Sequence, residues 1–244
     1  MNESRFKIAV VVALEREVRP FIRGWRVSER EYEGRRFRFF EQDEVVVVCG
    51  GIGAGAARRA AAALIALYAP RIVFSAGFAG ALGPELNVGD VVCPSQVINA
   101  EDGSSTRIPG GEGVLVSFGS VANPEQKVKL RESYAAQAVD MEAAAVARAA
   151  EARGVEFRAI KVISDPHDFV FPAMEKFVDP NGRFLKAKFA LFSAVRPWLW
   201  LQVGRLMRNS KLASQMLCGW LRTNVELRSS GQPGTAVPTH DSAR

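Results

Sequence analysis

Val139-Asp140-Met141-Glu142-Ala143 and Val162-Ile163-Ser164-Asp165 are the two stretches that decide the fold of this 244-residue chain. In the first, a short apolar strand gives way to an alanine-rich helix at Glu142. In the second, Asp165 follows a longer apolar run. Open α/β sheets bind ligands at the carboxyl ends of their strands, so two such carboxylates can face one small molecule. Both also have a purely structural interpretation, because a helix dipole favours Glu142 and Asp165 can cap a turn.

The composition restricts the class of protein. Hydrophobic residues make up 48% of the chain, which suits one globular domain with a sizeable core. Lys and Arg number 32 against 26 for Asp and Glu, so the chain is modestly basic. Such a surplus is compatible with an anionic substrate, a lipid surface or merely a solvated basic surface. We expect no nucleic acid partner.

Cysteine and histidine usage argues against metal and disulfide chemistry. Cys49, Cys93 and Cys218 are widely spaced and form no CxxC motif, which fits a reducing compartment. His167 and His240 are the only histidines, so we expect no metal site. The chain has no run of ~18 uncharged apolar residues and no signal-peptide core, which predicts a cytoplasmic protein.

Alternating strand and helix patterns predict the fold class. Apolar or β-branched runs predict strands over 6–13, 36–40, 44–49, 71–75, 90–99, 114–119, 138–139 and 157–164. Helices are predicted over 56–68, 123–134 and 142–153, and loops over 76–83 and 101–113. This order predicts an α/β fold of three layers, with a mixed, mostly parallel central sheet flanked by helices.

Residues 1–227 are predicted to form a single domain. A long loop is expected over 166–182, followed by a Trp- and Arg-rich helical part over 183–227 with breaks near Pro197 and Asn209. Residues 228–244 are polar and contain Gly and Pro, which predicts a disordered tail.

A glycine-rich motif, Gly51-Ile-Gly-Ala-Gly-Ala56, follows a strand and opens a helix. It fits a dinucleotide-binding fingerprint, but that fingerprint also requires an acidic residue about 20 positions further on, and residues 71–76 contain none. We therefore predict close packing of helix on sheet here, with a helix N-terminus available to a polar ligand and no nicotinamide cofactor.

Glu15 and Glu17 follow the first predicted strand. They are either solvated charges on a surface helix or, if one of them lies near Asp165, a candidate general base. The pattern of residues alone leaves both interpretations open.

Six segments in order resemble the purine nucleoside phosphorylase and methylthioadenosine/S-adenosylhomocysteine nucleosidase superfamily. They are Ala13-Leu-Glu-Arg-Glu-Val18, Gly51-Ile-Gly53, Ser75-Ala-Gly-Phe-Ala-Gly-Ala-Leu82, Val88-Gly-Asp-Val-Val92, Val139-Asp-Met-Glu-Ala143 and Ile163-Ser-Asp165. Each segment alone is weakly specific, but six in this order are strongly specific. The resemblance implies a large mixed sheet and an enzyme, a nucleosidase or a nucleoside phosphorylase, that cleaves an N-ribosidic bond.

The resemblance also implies roles for individual residues. Asp165 would be the general acid that protonates purine N7, and Glu17 would activate water. Glu142 would accept hydrogen bonds from the ribose hydroxyls, and Met141 would pack on the ribose or the base. The other implied substrate-binding residues are Gly77, Phe78, Val121, Ala122 and Ser164.

The nucleophile is either water or phosphate. Phosphorylases of the superfamily tend to carry Arg at the Glu17 position and at the start of the small-residue loop, where this chain has Ser75. A carboxylate would repel phosphate, which favours hydrolysis without a cofactor. Phe78 replaces a serine found in both branches, and Arg16 could contact phosphate in another geometry, so phosphorolysis with phosphate as co-substrate stays the alternative. Ser75, Gly53 and Arg16 are the predicted neighbourhood of the nucleophile.

Part of the C-terminal third resembles one subgroup more closely. Ser164-Asp-Pro-His-Asp-Phe169, Phe171-Pro172 and the Trp/Arg-rich tail with Asn209-Ser210 are similar to the hopanoid-biosynthesis-associated phosphorylase-like proteins. This resemblance implies removal of adenine from adenosylhopane. The predicted substrate is therefore an adenine nucleoside with a bulky apolar 5′ substituent, adenosylhopane-like or methylthioadenosine-like.

Residues 196–227 combine Trp and Leu with Arg and Lys, which suits an anionic bilayer or a lipid-linked nucleoside. The same side chains could instead cover the sheet and a dimer contact. We predict a homodimer with peripheral contact at the inner membrane surface. Because of Phe78, a catalytically weak nucleoside-binding or membrane-surface protein is the alternative from another class.

Overall fold

The computed structural model describes residues 6–171, 177, 179, 182, 184–194 and 196–226. Within them, eleven strands form one mixed sheet. The strands are β1 (Ile8–Val12), β2 (Arg26–Tyr32), β3 (Arg35–Gln42), β4 (Val45–Cys49), β5 (Ile72–Ala81), β6 (Val91–Val92), β7 (Gln96–Asn99), β8 (Ser105–Arg107), β9 (Val114–Ser117), β10 (Ala138–Asp140) and β11 (Glu156–Asp165). The helices are α1 (Glu15–Val18), α2 (Ala54–Tyr68), α3 (Pro124–Tyr134), α4 (Ala143–Glu151), α5 (Lys186–Ala194) and α6 (Trp200–Leu221).

Strand β5 is the centre of the sheet and pairs with three other strands. Its first half lies between β1 and β11, both parallel to it. On the β1 edge the pairing ends at Ser75, and an antiparallel pairing with β10 begins at Gly80. Pairing with β11 continues on the other edge throughout. Residues 76–79 therefore face a gap between the carboxyl ends of β1 and β10.

Among the described residues three hydrophobic clusters pack on the sheet, and the two largest, on opposite faces, make three layers. On one face, the alanine-rich sides of α2 and α4 pack against alternate residues of β1 and β4, such as Val11 and Val48. On the other face, the intervening residues pack against α6 through Leu217 and Leu221. Strands buried on both faces are nearly continuous runs of Val and Ile, as the sequence of β1 and β4 shows. The predicted three-layer α/β class with a mixed sheet is confirmed.

Small residues let helix α2 approach the sheet closely. A Cβ atom on Gly50 would lie 2.6 Å from the Cβ of Ala60, so these two backbones leave no room for a larger side chain. This close contact lies at Gly50, just before the predicted motif, whereas a Cβ atom on Gly53 within the motif would meet nothing within 4 Å.

Helix α3 begins as predicted. The side chain of Asn123 accepts a hydrogen bond from the backbone N–H of Gln126, and Pro124 occupies the first helical position. The break near Pro197 is also confirmed, since a short 3-10 turn, Pro197–Leu199, separates α5 from α6.

Several predicted boundaries are wrong. The loop predicted over 76–83 is mostly strand, because β5 runs on to Ala81. The strand predicted over 90–99 is divided into β6 and β7, and the polar loop 101–113 contains β8. Strand β2 has no counterpart in the prediction, because its charged sequence shows no apolar strand pattern; it pairs along its whole length with β3. Helix α6 continues through Asn209, since its apolar face packs on the sheet past that point.

Other predictions remain untested by the fold. The tail 228–244 and part of the loop 166–182 lie outside the described residues. The single domain over 1–227 stays a prediction. Among the described helices, none is both long enough and apolar enough to cross a membrane.

The packing of α6 generates a prediction about stability. Leu217 is fully buried against the sheet, and Leu201, in the same helix, is 75% exposed. We expect Leu217→Ala to lower the free energy of unfolding by about 2–5 kcal/mol, because it leaves a cavity. The matched variant Leu201→Ala should change it by less than about 0.5 kcal/mol. Urea unfolding measures both values; equal values would show that α6 is not part of the cooperative fold.

Candidate active site

A cleft of about 150 Å³ opens at the gap on the edge of β5. It lies where the carboxyl ends of β1, β10 and β11 meet, the position at which open α/β sheets bind ligands. Ten of the twelve residues predicted for the site line it: Arg16, Glu17, Gly77, Phe78, Val121, Ala122, Met141, Glu142, Ser164 and Asp165. The two others, Gly53 and Ser75, do not line it.

Glu17 lies at the floor of the cleft. Helix α1 begins directly after β1, so the Glu17 side chain turns back over β5, and only 5% of the residue is exposed. A Cβ atom on Gly77 would lie 3.1 Å from Glu17 Oε2, so the glycine makes room for the carboxylate. Burial, together with the charge of Glu142, raises the pKa of Glu17 to about 7.

Glu142 is held by backbone N–H groups from two segments. It is the N-cap of α4, and its Oε1 accepts a hydrogen bond of 2.8 Å from the N–H of Gly53 in the glycine loop. The N–H of Met141 donates to its other oxygen at 3.3 Å. Gly53 therefore acts on the site through Glu142. Burial and the charge of Asp140 raise the pKa of Glu142 to about 7.

A buried lysine, Lys161, balances these carboxylates. Its Nζ lies 2.8 Å from Asp140 Oδ2, and both side chains are almost fully buried. Lys161 is paired with Gly77 in the sheet, and a Cβ on Gly77 would lie 3.8 Å from Nζ. Burial alone would lower the pKa of Lys161, but the charges of Asp140, Glu142 and Glu17 raise it above its usual value. Lys161 therefore carries a positive charge among three carboxylates.

Asp140 belongs to the same cluster. Its carboxylate also accepts hydrogen bonds from Ser117 Oγ at 2.5 Å and from the N–H of Ala143 at 2.8 Å. These contacts anchor the start of α4 to β9, and so fix the position of Glu142 next to it.

Asp165, the last residue of β11, is 4% exposed and pairs with a second buried lysine, Lys127 of α3. Lys127 Nζ lies 2.5 Å from Asp165 Oδ2, and Ser164 Oγ donates to Oδ1 at 2.8 Å. Burial raises the pKa of Asp165, although the ammonium of Lys127 opposes that shift. The structure thus brings Asp165, Glu142 and Glu17 to one cleft.

The two lysines are the functional residues that sequence reasoning missed. Both leave a signal in the sequence, because each is a charge in a position that should be apolar. Lys161 interrupts the buried run of β11, and Lys127 lies on the face of α3 that also carries Leu130.

Ser75 and Phe78 differ in their relation to the cleft. Ser75 is 1% exposed, and its hydroxyl has no hydrogen-bond partner among the described residues. Phe78 lines the cleft, and it also lines a second, larger cavity beside it. Its ring therefore stands between the two spaces.

The second cavity has a volume of about 650 Å³ and lies between α1, α5 and α6. Its walls are largely apolar, with charged groups among them. The apolar lining residues are Pro20, Phe78, Phe184, Phe189, Val203, Leu206 and Met207, and the basic ones are Arg16, Arg19 and Lys211. Arg16 and Phe78 line both spaces, so the cavity adjoins the cleft.

The arrangement suits acid–base chemistry. A carboxyl group with a pKa of about 7 is partly ionised near neutral pH and can accept a proton, as Glu17 and Glu142 could. Among the described residues, no group of three His, Cys, Asp or Glu side chains is placed to hold a metal ion. The roles of the individual site residues stay predictions.

Known proteins that are similar to this chain in sequence include nucleosidases from two bacteria. The 5′-methylthioadenosine/S-adenosylhomocysteine nucleosidase of Bacillus cereus (strain G9842) is 29% identical over 197 residues, which cover 65% of this chain and 85% of the relative. The nucleosidase of the same name from Marinomonas sp. (strain MWYL1) is 34% identical over 96 residues, covering 38% of this chain and 41% of the relative.

Solved structures share the fold. A Helicobacter pylori 5′-methylthioadenosine/S-adenosylhomocysteine nucleosidase superposes with a TM-score of 0.63 at 19% identity, covering 90% of this chain and 99% of the other. The futalosine hydrolase of Helicobacter pylori has a TM-score of 0.59 at 20% identity, with 87% and 96% covered.

A family model described as "Phosphorylase superfamily" matches residues 7–125 and 112–187. The matched ranges contain every residue that the sequence predicted for the site. The predicted enzyme class, a nucleosidase or nucleoside phosphorylase, is confirmed by these relatives. The chain belongs to the phosphorylase superfamily.

Proposed function

We propose that this enzyme hydrolyses the N-ribosidic bond of an adenine nucleoside and releases adenine. The observation that carries the proposal is the buried carboxylate of Glu17, whose pKa is raised to about 7, in the cleft that also contains Asp165. The relatives named as nucleosidases support the same reaction class. No cofactor is needed for it.

The proposed reaction divides the work between the two ends of the cleft. The C1′–N9 bond breaks and its electron pair goes to the purine, while Asp165 donates a proton to N7, so adenine leaves neutral. Water forms the new bond to C1′ and gives a proton to Glu17. A positioned acid or base typically contributes ~10²–10⁴-fold to the rate. Glu142 would hold the ribose hydroxyls and so orient the sugar for attack.

Charge favours water over phosphate as the nucleophile. Glu17, Glu142 and Asp140 place three carboxylates near the reacting carbon, and Lys161 forms an ion pair with only one of them, Asp140. A phosphate dianion there would be repelled. Phosphorolysis remains the second candidate because Arg16 lines the cleft and could contact phosphate.

The second cavity supports a bulky apolar 5′ substituent on the nucleoside. It adjoins the cleft, holds about 650 Å³ and is lined mainly by aromatic and aliphatic side chains. A methylthio group would fill a small part of this space. The size therefore favours an adenosylhopane-like substrate over a methylthioadenosine-like one.

The exposed side of the helices near this cavity supports peripheral membrane contact. Trp198 and Leu201 are 71% and 75% exposed, and basic residues such as Arg205 lie on the same helical segment. Exposed aromatic and basic side chains on one helix suit an anionic bilayer surface. Co-sedimentation with anionic vesicles tests this contact. The homodimer predicted from the sequence stays a prediction.

A product assay tests the reaction. We expect adenine release in phosphate-free buffer, and Asp165→Asn should reduce it by about 10²-fold or more without unfolding the protein. Chromatography of adenine and of the ribosyl product measures both. Release only after phosphate is added would replace hydrolysis by phosphorolysis, and near-normal turnover by the variant would remove Asp165 as the acid.

The pKa of Glu17 predicts a pH-dependent stability. The pKa of this carboxyl rises from 4.5 in the unfolded chain to about 7 in the folded one, so folding disfavours its ionised form. Below pH 4.5 both states are protonated and there is no cost; above pH 7 the folded state bears the full cost of about 3 kcal/mol at most.

Glu17→Gln removes that cost together with the proposed base. We expect the variant to be inactive, and to gain stability relative to the wild type as the pH rises from 4.5 to 7. Thermal unfolding at pH 4, 6 and 8 measures the difference. A difference that is constant with pH would contradict a raised pKa for Glu17.

The cavity predicts a preference among substrates. Val203 lines the cavity from α6, so Val203→Trp should fill part of it. We expect kcat/KM to fall at least tenfold for an adenosine with a long apolar 5′ chain, and to fall less for methylthioadenosine. Leu201→Trp, on the exposed side of the same helix, is the matched control. An equal fall in kcat/KM for both substrates would show that the cavity does not bind the 5′ substituent.

A further inference from the structure

The partner of Asp165 raises a chemical question about the proposed acid. An acid must hold a proton to give, yet both oxygens of this carboxyl group accept hydrogen bonds. Lys127 Nζ donates to Oδ2 at 2.5 Å, and Ser164 Oγ donates to Oδ1 at 2.8 Å. An ammonium group at this distance favours the ionised carboxylate. Burial acts in the opposite direction and raises the pKa of Asp165, so the carboxyl group and the ammonium act as one coupled pair, which holds the proton that the purine needs.

The ion pair is built into the fold rather than formed by chance. Lys127 and Asp165 come from different elements, α3 and β11, and their side chains are 1% and 6% exposed. They meet over Gly80 of β5, where a Cβ atom would lie 2.6 Å from Asp165 Oδ2 and 3.1 Å from Lys127 Nζ. Any side chain at position 80 would displace the pair.

The position of Lys127 also suits proton supply. Its Nζ donates a second hydrogen bond to the carbonyl oxygen of Pro166 at 2.8 Å, and the residue lines the cleft. An ammonium has three N–H donors, so these two bonds fix its position and leave one. A buried ion pair is weak support for stability, because desolvation offsets its attraction. Stability alone is therefore a poor reason for placing a lysine here.

We propose that Lys127 is a positioning residue for Asp165 that holds its carboxylate toward the purine and supplies, through it, the proton that leaves with adenine. The proposal rests on the proposed function and adds one residue to the group that protonates the leaving purine. With Lys127 as the source of the proton, Asp165 does not have to stay protonated until the substrate binds.

The proton steps balance. As the C1′–N9 bond breaks and its electron pair moves onto the purine, Asp165 gives a proton to N7 and takes one from Lys127, which becomes a neutral amine. Water adds to C1′, and its proton goes to Glu17. Solvent then carries a proton from Glu17 back to Lys127. The net change is addition of one water across the bond.

The other charged groups of the cleft are separate from this pair. Arg16, Glu17, Asp140 and Glu142 are the remaining charged residues that line it. Lys161 pairs with Asp140, and Arg131, one turn further along α3, pairs with Glu85. Asp165 and Lys127 therefore form an ion pair of their own at the end of the cleft proposed to hold the purine.

The pH dependence of adenine release by Lys127→Met tests the proposal. Methionine keeps the length of the side chain but carries no charge, so the buried Asp165 would hold its own proton and lose it as the pH rises. We expect the alkaline limb of the kcat/KM profile to move to lower pH, with a loss of about 10²-fold at pH 9 and a much smaller loss at pH 6. The acidic limb, set by Glu17, should stay in place.

Lys127→Arg is the matched control for charge. A guanidinium keeps the ion pair but cannot give up a proton. If Lys127 supplies the proton, this variant should lose activity at every pH; if the pair is only structural, it should remain active. Gly80→Ala displaces the pair without removing either charge. It should therefore show the same shift of the alkaline limb to lower pH as Lys127→Met. Near-ultraviolet circular dichroism checks that each variant is folded.

A leaving group that needs no proton gives an independent measurement. In a 4-nitrophenyl riboside the leaving group departs as the stable 4-nitrophenolate anion. The loss caused by Lys127→Met should therefore be at least tenfold smaller for this substrate than for the adenine nucleoside. Equal losses, or an unmoved alkaline limb, would overturn the role of Lys127 while leaving the proposed function intact. If the wild type releases no adenine from any 5′-substituted adenosine, the proposed function itself fails.

Discussion

The change of partners along one edge of β5 is the constraint on which the rest of the structure depends. Pairing with β1 ends at Ser75 and pairing with β10 begins at Gly80, so the residues between face an opening at the carboxyl ends of three strands. That opening becomes a cleft because small residues occupy this part of β5. Gly77 and Gly80 leave room for side chains from α1, α3 and β11. A longer pairing of β1 with β5 would close the site.

The cleft brings together charged groups in a buried environment, where the loss of hydration makes the ionised forms unfavourable. Two buried lysines and four buried or nearly buried carboxylates lie around it, and each lysine lies beside a glycine of β5. Burial raises the pKa of Glu17, Glu142 and Asp165, while the lysines limit those shifts. Acid–base chemistry near neutral pH and reduced stability are therefore two consequences of the same arrangement.

The C-terminal helices extend the site beyond the part of the chain that the family model matches. That match ends at residue 187, whereas the larger cavity is closed by α6, over 200–221. Leu217 and Leu221 secure the inner face of α6 to the sheet, and its outer face exposes Leu201. The same helix thus covers the core, bounds the cavity and presents an apolar surface. The predicted packing on the sheet therefore holds for the inner face, and membrane contact stays a proposal for the outer face.

The sequence by itself determined the fold class, the start of α3 and most of the residues that line the cleft. Buried strands show as runs of Val and Ile, and six segments in order were enough to place Glu17, Met141, Glu142 and Asp165 at one end of a sheet. These features are local, or follow from the order of local features, so they can be recognised in the sequence alone.

Only the tertiary structure decided which charges meet. Lys127 and Lys161 are distant from their partners in sequence, and a lysine inside an apolar pattern does not say which carboxylate it will face. The extension of β5 was missed for a related reason. A run of Gly and Ala resembles a loop in the sequence, and only the fold shows that side chains from α1, α3 and β11 occupy the space above it. Burial and charge pairing depend on contacts between distant segments, and these set the pKa values on which the proposed chemistry relies.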